Sequence, residues 1–120
     1  MNEQNSMLLL ETQNIYVTAM NAAMQAMELV RGIGNDGLPI IRSSGAASSC
    51  LLEAWQNRND GSVYRDKLRA ARVDCTDTRD RLRSAVGLQQ MSPVPAAKLA
   101  RTYDELIGKI STMLKTETTS

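Results

Sequence analysis

Three clusters of turn-forming residues cut this 120-residue chain into four stretches, and each stretch repeats its apolar residues every three or four positions. The first cluster, Arg31–Pro39, holds Gly32, Gly34, Asn35, Asp36 and Gly37. The second, Asn57–Ser62, holds Asn59, Asp60 and Gly61, and the third, Gly87–Pro95, holds Gly87 and the pair Ser92–Pro93. A spacing of three to four matches the ~3.6 residues of a helical turn, and no stretch alternates with period two. Long helices joined by short connections pack as antiparallel neighbours. The expected fold class is therefore all-α, an antiparallel up-and-down four-helix bundle forming a single domain over 1–120.

The expected helices run over about 7–31, 38–57, 62–87 and 93–115, with residues 1–4 and 116–120 fraying at the ends. In the first, Val17, Met20, Met24, Met27 and Val30 are spaced to face inward. In the second, Pro39 is tolerated in the first turn, and Ile41, Ser48, Leu52 and Trp55 form the inward row, with Trp55 closing the bottom of the helix. Ser62 is placed to cap the third helix and Gly87 to terminate it. The third helix turns inward Tyr64, Leu68, Ala71, Cys75, Thr78 and Leu82, and the fourth Leu99, Tyr103, Leu106, Ile110 and Met113. The small-residue run Ser43–Ser49 suits a tight helix crossing; a hydroxyl-lined concavity for a ligand or phosphate is the other reading.

Composition narrows the chemistry. There is no histidine, and the only cysteines are Cys50 and Cys75, which excludes a Cys/His zinc set, a Ser–His triad and a two-metal histidine site. The two cysteines read as buried small hydrophobes, in keeping with a cytoplasmic protein. No catalytic residue, metal site, cofactor or small-molecule substrate is expected. Apolar runs fall far short of the ~20 residues that span a bilayer, so no membrane partner is expected either. The net charge of +1 hides a gradient: residues 1–41 hold one Arg against four acids, and residues 42–83 hold nine Lys and Arg against six acids.

The basic middle contains a stripe. At ~100° per residue, Arg65, Arg69, Arg72, Arg79 and Arg83 fall within an arc of about 80° beside the apolar row of the third helix. Two readings are open. In the structural one, Arg42, Glu53, Arg72 and Asp77 form ion pairs that fix helix register, Asp77–Arg81 and Asp80–Arg83 pair locally, and the stripe serves the fold. In the functional one, the five arginines bind nucleic acid, forming a phosphate-contact row about 27 Å long that repeats around an oligomer. A single Trp and three Tyr provide little stacking surface, which favours structured over single-stranded RNA.

Tyr64, Leu68-Arg69, Ala71-Arg72, Asp77 and Leu82 follow the order aromatic, Leu-Arg-x-Ala-Arg, acid five residues later and Leu another five on. Upstream lie Arg42, the small-residue run and Leu52-Glu53-Ala54. This pattern resembles the four-helix-bundle family of large-subunit ribosomal RNA intervening-sequence proteins, which includes the accessory variability determinant of diversity-generating retroelements. The resemblance implies a homo-oligomer, a ring of five four-helix protomers without catalytic activity, and as partners a structured RNA and a reverse transcriptase. The competing expectation is a structural adaptor whose oligomer binds protein partners only.

Overall fold

The computed structural model describes the backbone of residues 3–119 and the side chains of residues 6–115. Four helices follow one another: α1 (Glu3–Val30), α2 (Leu38–Gln56), α3 (Gly61–Gly87) and α4 (Pro93–Thr119), with a short 3₁₀ turn at Gly34–Gly37 before α2. Among the described residues there is no strand, and the helices pack as an all-α four-helix bundle about 48 Å long. Pairs across the seams run in opposite directions along the chain, Ser43 to Thr78 and Glu53 to Lys67 between α2 and α3, then Arg72 to Ser111 and Arg79 to Asp104 between α3 and α4. Neighbouring helices are therefore antiparallel. The expected fraying falls partly outside the described residues; within them α1 starts at Glu3 and α4 continues to Thr119.

The turns explain where the helices stop. Gly34 sits at φ 60°, the left-handed region, and lets the chain reverse after α1. At Gly37 a Cβ would lie 2.6 Å from the Val30 Cβ, so only glycine lets the turn tuck against the last turn of α1. Two end signals differ from expectation. The cap of α3 is Asp60 rather than Ser62: its carboxylate accepts from the Val63 N–H at 3.2 Å, and a carboxylate suits the positive end of the helix. At the far end Gly87 is still helical, and the left-handed residue is Gln89 at φ 59°. The Gln90 N–H reaches the Ala85 carbonyl at 2.9 Å and the Gln89 N–H the Val86 carbonyl at 3.0 Å, the double closure of a Schellman motif.

The inward rows of α3 and α4 are the expected ones: Tyr64, Leu68, Ala71, Cys75, Thr78 and Leu82, and Leu99, Tyr103, Leu106, Ile110 and Met113, are all buried. Those of α1 and α2 are not. In α1 the buried row is Thr12, Ile15, Ala19, Ala22, Ala26 and Val30, while Val17, Met20, Met24 and Met27 face outward; only Val30 keeps its expected place. In α2 the row is Ile40, Ser43, Ser44, Ala47, Leu51 and Ala54, one position off the expected Ile41, Ser48, Leu52 and Trp55, a rotation of ~100°.

One physical cause accounts for both corrections. The buried faces of α1 and α2 are both built from small residues, alanines on α1 and serines and alanines on α2, and small side chains let helix backbones approach closely enough to exclude water without long side chains between them. Bulky Met and Trp on those faces would wedge the pair apart. Ser43 and Ser44 lie in the core, so the small-residue run does not line a concavity; Ser48 donates back to the Ser44 and Gly45 carbonyls of its own helix. Core hydroxyls other than that of Tyr103 are paired instead. Thr78 donates to Ser43 at 2.7 Å, and Tyr64 reaches across the bundle to within 2.6 Å of the Thr12 hydroxyl, whose own proton is directed at the Leu8 carbonyl.

Two stability measurements follow. Ala19→Met, at a fully buried position, should cost about 1–3 kcal/mol by overpacking, whereas Met24→Ala on the outer face should change stability by no more than ~0.5 kcal/mol in denaturant titrations. The opposite order would mean that α1 is rotated. Gln89→Gly should raise stability by about 0.5–1 kcal/mol, because glycine occupies the left-handed well without the Cβ clash.

Candidate interaction surfaces

Helix α3 is unbroken from Gly61 to Gly87, so its five stripe arginines stay on one edge, the edge that flanks α4. What meets them divides the row in two. Asp104 of α4 takes the far half: its Oδ1 lies 2.9 Å from Arg79 Nη1 and its Oδ2 2.9 Å from Arg83 Nη2. Arg79 also donates from Nε to Asp80 at 3.1 Å. Hydrogen bonds to Asp104 and Asp80 raise the Arg79 pKa further above its usual value. One carboxylate thus holds two guanidiniums, each by a charge-assisted bond.

The near half is differently placed. Arg72 donates to the neutral Ser111 hydroxyl at 3.3 Å, and Arg69 pairs only with Asp66 of its own helix at 3.0 Å on open surface. Half-buried Arg65 has no ion-pair partner among the described residues. Arg65, Arg69 and Arg72 therefore keep most of their positive charge available over two turns of helix.

The expected structural ion pairs form differently. Glu53 bridges to Lys67 across the α2–α3 seam, Asp77 pairs with Arg81 at 3.0 Å, and Arg72 binds neither carboxylate. Arg42 is exposed and has no ion pair among the described residues. The reason is angular. Asp77 lies five residues beyond Arg72, ~140° away around the helix, and Glu53 approaches α3 from the α2 side while the stripe faces α4. Asp80 pairs with its chain neighbour Arg79, so the expected Asp80–Arg83 pair does not form and Arg83 pairs with Asp104 instead. Asp104 is not signalled by local spacing; it becomes legible only when α3 and α4 are folded antiparallel about the Leu88–Ser92 connection.

A second surface lies on α1. From Thr12 to Met27 the helix carries no Asp, Glu, Lys or Arg, and its outer side presents Leu10, Val17, Met20, Met24 and Met27, the last two 56% and 53% exposed. A helix that is apolar on two sides is one that expects cover on both. The signal was present in the sequence as this uncharged run of 16 residues, unusual in a chain with 22% charged residues. The α1–α4 seam is the most loosely closed, and near one end it opens into a groove of about 700 Å³ lined by Met7, Leu8, Gly108 and Met113 and crossed by a Glu11–Lys109 pair at 3.6 Å. Trp55 is half-buried rather than an internal anchor, with the Arg58 guanidinium 4.3 Å above its ring.

Neither thiol is activated by its surroundings. Burial pushes the Cys75 thiol up to about 12, with Asp74 adding to the shift. Cys50 donates to Asp74 at 3.6 Å and is raised as well, first by burial and then by that carboxylate. Neither is a thiolate at neutral pH. Among the described residues no group of three His, Cys, Asp or Glu is placed to hold a metal ion, and no helix is long and apolar enough to cross a membrane. Comparison with known protein families, curated proteins and solved structures finds no match.

Two outcomes test this geometry. At pH 8 a thiol reagent should leave Cys75 untouched in the native protein and modify it only after denaturation; rapid native reaction of both thiols would contradict the packing. Asp104→Asn should lower the melting temperature by only a few degrees, since the pairs are partly exposed, and should strengthen retention on a polyanion column by freeing Arg79 and Arg83.

Proposed function

We propose that this protein is a non-catalytic cytoplasmic adaptor that works by holding another protein against the outer face of α1. The observation that carries this reading is the 16-residue uncharged run Thr12–Met27, with methionines displayed outward from a helix whose other side already fills the core. Methionine suits such a face, because its unbranched, polarisable side chain adapts to varied apolar surfaces. The one thiol that meets a carboxylate among the described residues, Cys50 beside Asp74, is held protonated, as is Cys75, and the buried hydroxyls of Thr12, Tyr64, Ser43 and Thr78 are engaged with one another inside the core.

A second reading is favoured by a separate observation, the cationic near half of α3. Arg65, Arg69 and Arg72 support contact with the phosphates of a structured RNA, as the resemblance to the retroelement accessory family implies. In that setting a reverse transcriptase would be the protein held by the adaptor. The near-neutral total charge and the neutralisation of Arg79 and Arg83 by Asp104 weigh against a general polyanion binder.

Site-specific photo-crosslinking in the native cell tests the adaptor reading. A photoreactive residue at position 24 should yield a discrete protein adduct, and the same residue at Lys98 on α4 should not; no protein adduct at position 24 would sink it. For the RNA reading, a mobility-shift titration with a structured RNA should give log Kd against log salt with a slope of magnitude near ~2.7, three phosphates at ~0.9 each. Replacing Arg65, Arg69 and Arg72 with glutamine should abolish that slope. Salt-independent binding, or none, would remove the RNA reading.

A further inference from the structure

We infer that the groove at the α1–α4 seam docks a basic amphipathic helix of another protein, laid along the seam with its apolar side chains inside and Lys or Arg at the rim. The site is separate from the outer α1 face: Met7 at its edge lies ~26 Å along the helix from Met24, and α4 forms its other wall.

Three observations carry it. The first is space that a glycine holds open. Gly108 sits in the interior of α4, where glycine is among the poorest helix formers, and a Cβ there would meet no atom within 4 Å. A groove of about 700 Å³ remains beside it, with Met113 buried and Leu8 half-buried along its base and Met7 65% exposed at its edge. The two methionines can reshape to fit varied apolar anchors.

The second is charge. Glu11, Glu105 and Lys109 also line the groove, two carboxylates against one ammonium. Lys109 reaches Glu11 only at 3.6 Å, a loose pair. Glu105 is exposed and has no ion pair among the described residues, and Arg101, one turn earlier, does not bridge to it. The rim is therefore net negative: it complements a cationic occupant and repels an acidic one.

The third is shape. The groove follows α4 from Glu105 to Met113, a rise of ~12 Å, and lies between two helical rods while staying open on its outer side. Two turns of a third helix match that length, and apolar anchors three and four residues apart would enter it together. A compact small molecule would leave much of its surface in water in such an open trough.

Fluorescence anisotropy on the full chain tests this, using a labelled model helix of about four turns with leucines three and four apart and lysines on both flanks. Saturable binding is expected, with a counterpart carrying glutamates in place of the lysines at least ~10-fold weaker. Glu11→Gln combined with Glu105→Gln should shrink that preference to ~2-fold or less. Gly108→Leu should fill the groove and weaken binding at least ~10-fold without lowering the melting temperature, because leucine is the better helix former. Absent or unsaturable binding overturns the inference, as does a charge preference that survives the double glutamine variant or an affinity that Gly108→Leu leaves intact. Saturable uptake of dodecylamine with no helix binding, or a self-association lost in Gly108→Leu, would give the groove a different occupant and overturn it equally. The position-24 crosslink reads the other face, so either result can fail while the other stands.

Discussion

The small-residue faces that α1 and α2 turn inward govern the rest of the molecule. Ala19, Ala22 and Ala26 on one helix and Ser43, Ser44 and Ala47 on the other are all buried, and their small volume lets the backbones come together. Had either helix presented its larger side chains inward, the pair would have separated and the α3–α4 half would have lost its lid. The hydroxyls left in this dry seam are not a liability, because each is paired or turned back on its own helix. Close packing of small residues has a second consequence: the bulky apolar side chains of α1 have nowhere to go but out.

The two halves of the bundle therefore have different surfaces. The α1 face is uncharged and soft, while α3 carries a charge on almost every turn. Along the α3–α4 edge the charges are largely answered within the chain, and Asp104 is the residue that decides how much cationic surface survives. Because one carboxylate bridges Arg79 and Arg83, the free positive charge contracts to the end of the helix near Arg65, Arg69 and Arg72. A stripe that looks continuous in projection is electrostatically two segments.

Half of the core was legible from residue spacing. α3 and α4 each contain one apolar row flanked by charged residues, so only one face can be buried and the row Tyr64 to Leu82 or Leu99 to Met113 is unambiguous. α1 has two apolar rows, one of small residues and one of large, and α2 is small or apolar around most of its circumference. Periodicity ranks such rows by hydrophobicity and chooses the methionines, whereas packing ranks them by volume and chooses the alanines. The ends of α3 fall where the turn clusters place them, but the capping residues differ from expectation: several residues in each cluster can cap, and the exit angle of the chain selects Asp60 and Gln89.

Unaided, the amino-acid order determined that there are four helices, where they break, and that the α3 arginines share an edge, because these depend on local propensity and a fixed 100° step. It also determined that no histidine-based metal or acid–base chemistry is present. Tertiary structure alone decided which row of α1 and α2 is buried, since that depends on the volume of the facing helix. It also decided which carboxylate meets which arginine, since Asp104 lies 25 residues from Arg79 and reaches it only when two antiparallel helices bring them side by side.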